Sequence, residues 1–159
     1  MIEIDFNNYN ETEQIISKFE KLTDITVELT SEQNTIDLLK KILLGAISLT
    51  NADGGTIYRV SEDAIKFEIV HSNSLSVNLR ESNHSVSNKV FDEQIPLFDI
   101  NGQANLKNVI SYCYHHDKTL NIADAYDTKE FDFSGTKDFD TKNHYRSTSF
   151  LTVPLKNHE

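Results

Sequence analysis

The chain has one cysteine, Cys113, so no internal disulfide can brace it, and tryptophan is absent. Two prolines and five glycines in 159 residues are too few for a low-complexity or fibrous chain. That length suits one folded domain, enough to bury a core and too short for two ordinary ones. No apolar run approaches the roughly 20 residues of a membrane span. The longest, Ile42 to Leu49, is interrupted by Gly45 and Ser48. No basic-then-apolar leader follows Met1, and with the lone cysteine this predicts a cytoplasmic protein. Positive charge is also scarce: 15 basic against 25 acidic residues give a net charge of −10, which disfavours nucleic acid and anionic membranes as partners.

Enzyme signatures are missing too. There is no Gly-rich phosphate loop, no G-x-S-x-G, no H-E-x-x-H and no C-x-x-C, so neither catalysis nor a cofactor is expected.

What is present reads as alternating helices and strands. Ile2, Ile4 and Phe6 alternate briefly, as a short strand or extended arm. Asn10, with Glu13 three positions on, signals a helix start, and Ile15, Phe19, Leu22 and Leu29 follow at spacings of four, three and seven with Thr26 on the same seam. Such a narrow seam suits either a second helix from another chain or docking onto the domain's own core. Ser31 is read as the cap of a second helix, with Ile36, Leu39, Ile42, Leu43, Ala46 and Ile47 on its apolar face and Lys40 and Lys41 turned outward. Turn chemistry at Asn51 to Gly55 leads into a hairpin of two strands, 56–60 and 65–71. Residues 72–87, rich in Ser and Asn, read as a surface loop. Ile95 to Phe98 is extended, and Asn105 is the expected cap of a helix that turns Val109, Ile110 and Cys113 inward. A strand at 119–122, a long polar and aromatic loop over 123–146, and a last strand at 149–155 complete the order. Hairpin pairing with helices to one side predicts an α+β domain on one antiparallel sheet that combines residues 54–71 and 119–155.

Three stretches together resemble the GAF family of sensor domains: Leu49 to Tyr58 (LTNADGGTIY), Thr119 to Tyr126 (TLNIADAY), and Phe139-Asp140 leading to Tyr145-Arg146-Ser147 and Leu151 to Leu155 (LTVPL). Ile95-Pro-Leu-Phe98 and the segment 131–137 are similar to bacterial GAF domains attached to signalling enzymes, including cyclic-nucleotide phosphodiesterases and adenylyl cyclases. The resemblance implies residues 31–159 as a PAS-like GAF domain: a central antiparallel sheet, helices on one side and a loop-covered pocket on the other. Residues 1–30 then form an N-terminal arm and helix that suits a homodimer. It further implies a non-catalytic sensor for a small molecule, such as a cyclic nucleotide, that controls an attached output domain, with a ligand-free dimerisation domain as the alternative. In that family Thr56, Val70 and His71 would face the base, Val109 and Ile110 would offer backbone amides to a phosphate, and Asp140, Asn143 and Ser147 would close the pocket, with Tyr126, Tyr145 and Arg146 as further ligand-binding candidates. Asn143-His144 stands where the family often has Thr-Gly. The family pattern also continues past Glu159 into a further strand and helix, so a gap in the sheet is expected here, with Ile2 to Phe6 one candidate to fill it.

Each chemical reading has a structural counterpart. His116-Asp117 matches the dipeptide of metal-dependent HD phosphohydrolases, but its place at a helix end before a strand favours a plain C-terminal histidine. His115 and His116 are adjacent and diverge, which disfavours a shared metal. Cys113, on the apolar side of its helix, reads as packing. Asp124, Asp127, Asp132, Asp138 and Asp140 are too irregularly spaced for a calcium loop and read as a solvated acidic stretch offset by Lys129, Lys137, Lys142 and Arg146. Arg146 suits either an anionic ligand or a pair with one of these aspartates. Phe131, Phe133, Phe139 and Tyr145 should fold the loop down as a lid.

Overall fold

The computed structural model describes residues 6–75, 77–81 and 94–156. Among them are four helices and small antiparallel sheets, a mixed arrangement compatible with the α+β class. In order they are α1 (Phe6–Ser31), α2 (Thr35–Thr50), β1 (Gly54–Ser61), β2 (Ala64–Ser72), β3 (Val77–Glu81), β4 (Ile95–Pro96), α3 (Val109–His116), β5 (Leu120–Ile122), α4 (Ser134–Asn143) and β6 (Phe150–Thr152). No helix among the described residues is long and apolar enough to cross a membrane.

The chain divides into two compact units: Met1–Ile57 with Glu68–Val86, and Tyr58–Phe67 with Ser87–Glu159. In the first, α2 places Leu39, Leu43 and Ile47 one turn apart, so they share a face and pack with Ile57 of β1 and Ile69 of β2. Burying Leu43, Ile47, Ile57 and Ile69 contributes roughly 2 kcal/mol each, and the half-buried Leu39 less. Asn34 caps α2, its side chain accepting from the Ile36 and Asp37 amides, while Asn51 closes it in the left-handed conformation at φ 55°. The expected cap Ser31 instead ends α1, which starts at Phe6 and not at Asn10. An extended reading therefore fails at Phe6, and Ile2 and Ile4 lie outside the described residues. Asp53 ties the α2–β1 turn to the end of β2, accepting from Ser72 Oγ at 3.2 Å and from Ser74 N at 3.1 Å.

The predicted hairpin is present as β1 and β2, and β2 is the strand that β1, β3 and β4 all pair with. Its register is Val70 with Arg80 on β3, and Ile65 with Ile95 on β4. β3 is a correction, since 77–81 is part of the stretch read as loop; Leu75, Val77 and Leu79 alternate with polar residues, a short strand pattern that the Ser and Asn content of the stretch masks.

In the second unit Val109, Ala125, Phe131 and Phe133 form a core, joined by Leu120, Ile122, Tyr126 and Phe150. Asn108 caps α3 by accepting from the Ile110 and Ser111 amides, whereas Asn105, the expected cap, donates to Pro96 O at 2.9 Å. Asp117 ends α3 at φ 50°. The loop expected over 123–146 contains α4. The last strand is shorter than expected, three residues in β6, and it pairs with β5 from Leu120↔Thr152 to Ile122↔Phe150.

The single sheet expected from 54–71 and 119–155 is corrected: β5 and β6 form a separate two-stranded sheet. Among the described residues no strand bridges this ladder and the β1–β4 sheet, and without main-chain hydrogen bonds two ladders remain two sheets.

Candidate functional site

Two candidate residues of the second unit, Tyr126 and Ser147, converge on a third, Asp140, which lies on α4 and is 1% exposed. An aspartate so buried needs donors for its oxygens. Oδ2 accepts from Tyr126 Oη at 2.9 Å and from the Ser147 amide at 2.7 Å, and Oδ1 accepts from Ser147 Oγ at 2.8 Å. Tyr126 reaches α4 because the turn after β5 is itself held: Asp124 Oδ1 accepts the Tyr126 amide at 2.8 Å, and the Ala125 amide donates to Thr148 O at 2.8 Å.

Arg146 lies over this arrangement. Its guanidinium is 4.2 Å from the Tyr126 ring centroid, a cation–π distance, and donates to Asp124 Oδ2 at 2.8 Å. Lys137 approaches the same ring at 5.0 Å. The Tyr126 amide and then Arg146 hold the Asp124 carboxyl below the usual carboxylate range, and the same pairing pushes Arg146 up. Desolvation first, and the hydrogen bond to Asp140 second, push the Tyr126 phenol up, so it stays a protonated donor at neutral pH. Of the two readings of Arg146, the geometry realises the structural pair. The cluster links α4, the turn after β5 and the approach to β6 through groups that satisfy one another.

The other candidates are placed differently. Thr56, Val70 and His71 belong to the first unit and take no part in this network. His71 Nε2 lies 3.1 Å from Asn73 Oδ1, and its Nδ1 is buried with no hydrogen-bond partner among the described residues. Val109 is buried in the core. The Ile110 amide, expected to meet a phosphate, already donates to Asn108 Oδ1 at 2.9 Å, so capping chemistry occupies it. Asn143 donates to Phe139 O of its own helix at 2.8 Å, and the Tyr145 amide donates to Asp140 O at 3.0 Å. Phe131 and Phe133 are buried, as a folded-down loop requires.

The metal readings gain no geometry. Among the described residues no group of three or more His, Cys, Asp or Glu side chains is placed to hold a metal. His115 Nε2 donates to Leu97 O at 2.9 Å, while His116 donates to Tyr112 O at 3.2 Å and stacks on the Tyr112 ring. Asp117 pairs with Lys156 at 2.7 Å. Asp132 Oδ1 accepts the Ser134 amide at 2.9 Å at the start of α4. Burial, then the charge of Asp117, raises the Cys113 thiol, which disfavours the reactive thiolate.

The role of Ser147 Oγ as a partner of Asp140 is invisible in a sequence pattern, because it depends on a helix that the pattern does not reveal. The one available signal was Asp132, two residues before Ser134, a helix-start arrangement. No protein-family model matches the chain, and no curated protein matches it.

Proposed function

We propose that this chain is a non-catalytic interaction domain of the GAF type in a cytoplasmic signalling protein, acting through contact with another chain and not through a bound small molecule. One observation carries this reading: Phe131 and Phe133, from the loop expected to roof a pocket, are themselves buried against Val109 and Ala125. The loop's polar residues support it, since Tyr126, Asp140, Arg146 and Ser147 bind each other. Such a cluster fixes the loop without a ligand.

A second reading, a small-molecule sensor of the same family that binds a cyclic nucleotide, is favoured by the unpartnered Nδ1 of His71, an acceptor at one of the positions the resemblance sets against a base. Thermal denaturation with cyclic AMP and cyclic GMP separates the two. No change in melting temperature at millimolar nucleotide is the expected result. A saturable rise that is lost in His71→Ala overturns the ligand-free reading in favour of the sensor.

A further inference from the structure

Between β4 and α3 the chain makes a tight loop whose ends are tied by a bridge between Phe98 and Ala104. The Asp99 amide donates to Gln103 O at 2.7 Å, and the Gly102 amide donates back to Asp99 O at 3.0 Å. Asp99 Oδ1 holds the inside of the loop by accepting the Asn101 amide at 2.8 Å and the Gln103 amide at 2.9 Å. Closing the loop this way puts Gly102 at φ 74°, in the left-handed region where a side chain is unwelcome. The turn therefore favours a glycine directly after Asn101.

Glycine has no Cβ, so its main-chain nitrogen is the least shielded nucleophile that can follow an asparagine. Asn101-Gly102 is the only Asn-Gly pair in the chain. Asn101 is exposed, and among the described residues its side-chain amide makes no hydrogen bond. The space beside Gly102 is open, with nothing within 4 Å of where a Cβ would stand. Other asparagines are held at both ends. Asn73 Oδ1 lies 3.1 Å from His71 Nε2, and the next amide, of Ser74, donates to Asp53 Oδ1 at 3.1 Å. Asn143 Nδ2 donates to Phe139 O at 2.8 Å, and the next amide, of His144, donates to Asp140 O. Only the Gly102 amide restrains Asn101 chemistry, through one bond at an exposed loop tip, and such a bond opens at little cost.

We propose that Asn101 is a self-modifying site, converting without an enzyme to aspartate and isoaspartate. In the opened turn the Gly102 nitrogen attacks Asn101 Cγ. The N–Cγ bond forms and the Cγ–Nδ2 bond breaks, while the proton of the Gly102 nitrogen leaves with Nδ2 as ammonia. The resulting five-membered imide takes up one water. Opening at Cγ leaves aspartate, and opening at the main-chain carbonyl carbon of residue 101 routes the chain through Cβ and Cγ as isoaspartate. Ammonia is exchanged for water and nothing is oxidised or reduced. Either product sets a new carboxylate beside Ile100, which is 102% exposed, and two residues from Asp99. Isoaspartate also adds one carbon to the main chain, which breaks the register between Gly102 N and Asp99 O. The loop is thus a slow charge switch on the surface that carries Phe98 and Ile100.

Incubating the purified full chain for several weeks at physiological temperature and neutral pH tests this. Peptide mass spectrometry should show the peptide with Asn101 gaining about 1 Da, the difference between water and ammonia. The same peptide should become a substrate for a methyltransferase that labels isoaspartyl carboxylates. Peptides with Asn73 and Asn143 should convert at least about 10-fold more slowly. Asn101→Gln, at an exposed position and needing a six-membered ring, should abolish both signals. The urea-unfolded chain should convert faster at Asn101, because the Gly102 bond is gone. A folded chain that keeps Asn101 while the unfolded chain loses it overturns the proposal. So does equal conversion at Asn73 or Asn143, or methyl acceptance that survives Asn101→Gln.

Discussion

The Tyr126 hydroxyl donates to Asp140 across 2.9 Å, joining the turn after β5 to α4 over fourteen residues of chain. Asp140 takes two further hydrogen bonds from Ser147, so one carboxylate organises three points of the backbone. Removing it strands several donors at once, and a buried donor without a partner costs more than the net value of the bond it made.

Asp140→Ala should therefore lower unfolding free energy by about 3 kcal/mol, and Tyr126→Phe, which removes one donor and keeps the ring, by about 1 kcal/mol. Urea denaturation followed by far-ultraviolet circular dichroism measures both. Equal losses from the two substitutions would show that Ser147 gains nothing from Asp140.

The ion pair above this cluster makes a pH-dependent prediction. Hydrogen bonds from the Tyr126 amide and from Arg146 place the folded-state pKa of Asp124 below its unfolded value. A group shifted downward contributes stability above its unfolded value, about 3.9 for aspartate, and loses that contribution as pH falls through the folded value. Asp124→Asn should melt below the wild type at neutral pH, with the two curves converging in acid as the pH falls through the folded-state value. Melting temperatures taken across the acid range provide the check; a constant gap would assign the effect to shape and not to charge.

Two glycines should respond in opposite directions to alanine. A Cβ at Gly54 would collide with the main-chain oxygen of His71 and come within 3.0 Å of Ser72 Cα, neither of which belongs to a movable side chain. Gly54→Ala should cost about 2 kcal/mol by forcing the base of the hairpin apart. Gly135, in the first turn of α4, has nothing within 4 Å of such a Cβ, so Gly135→Ala should gain up to about 1 kcal/mol from helix propensity and a restricted unfolded chain. Chemical denaturation of both variants decides the matter.

The parts legible in the sequence are those where apolar side chains do the packing. Leu39, Leu43 and Ile47 recur at helical spacing and become the buried face of α2, and the apolar runs that contain Ile57 and Ile69 become the hairpin. The helix starts were misplaced because Ser31 and Asn34, or Asn105 and Asn108, carry similar capping chemistry, and only the side-chain oxygen that reaches two amides identifies the cap. α4 is hidden from the sequence for a deeper reason. Its one fully buried side chain is an aspartate, so a search for apolar periodicity reads it as loop. Tyr126, Arg146 and Ser147 were singled out through the family resemblance, yet their mutual bonding needed the helix that brings Asp140 to them. The two strand pairs lie in separate sheets, against the expectation of one, because strand order depends on long-range pairing that local pattern does not encode.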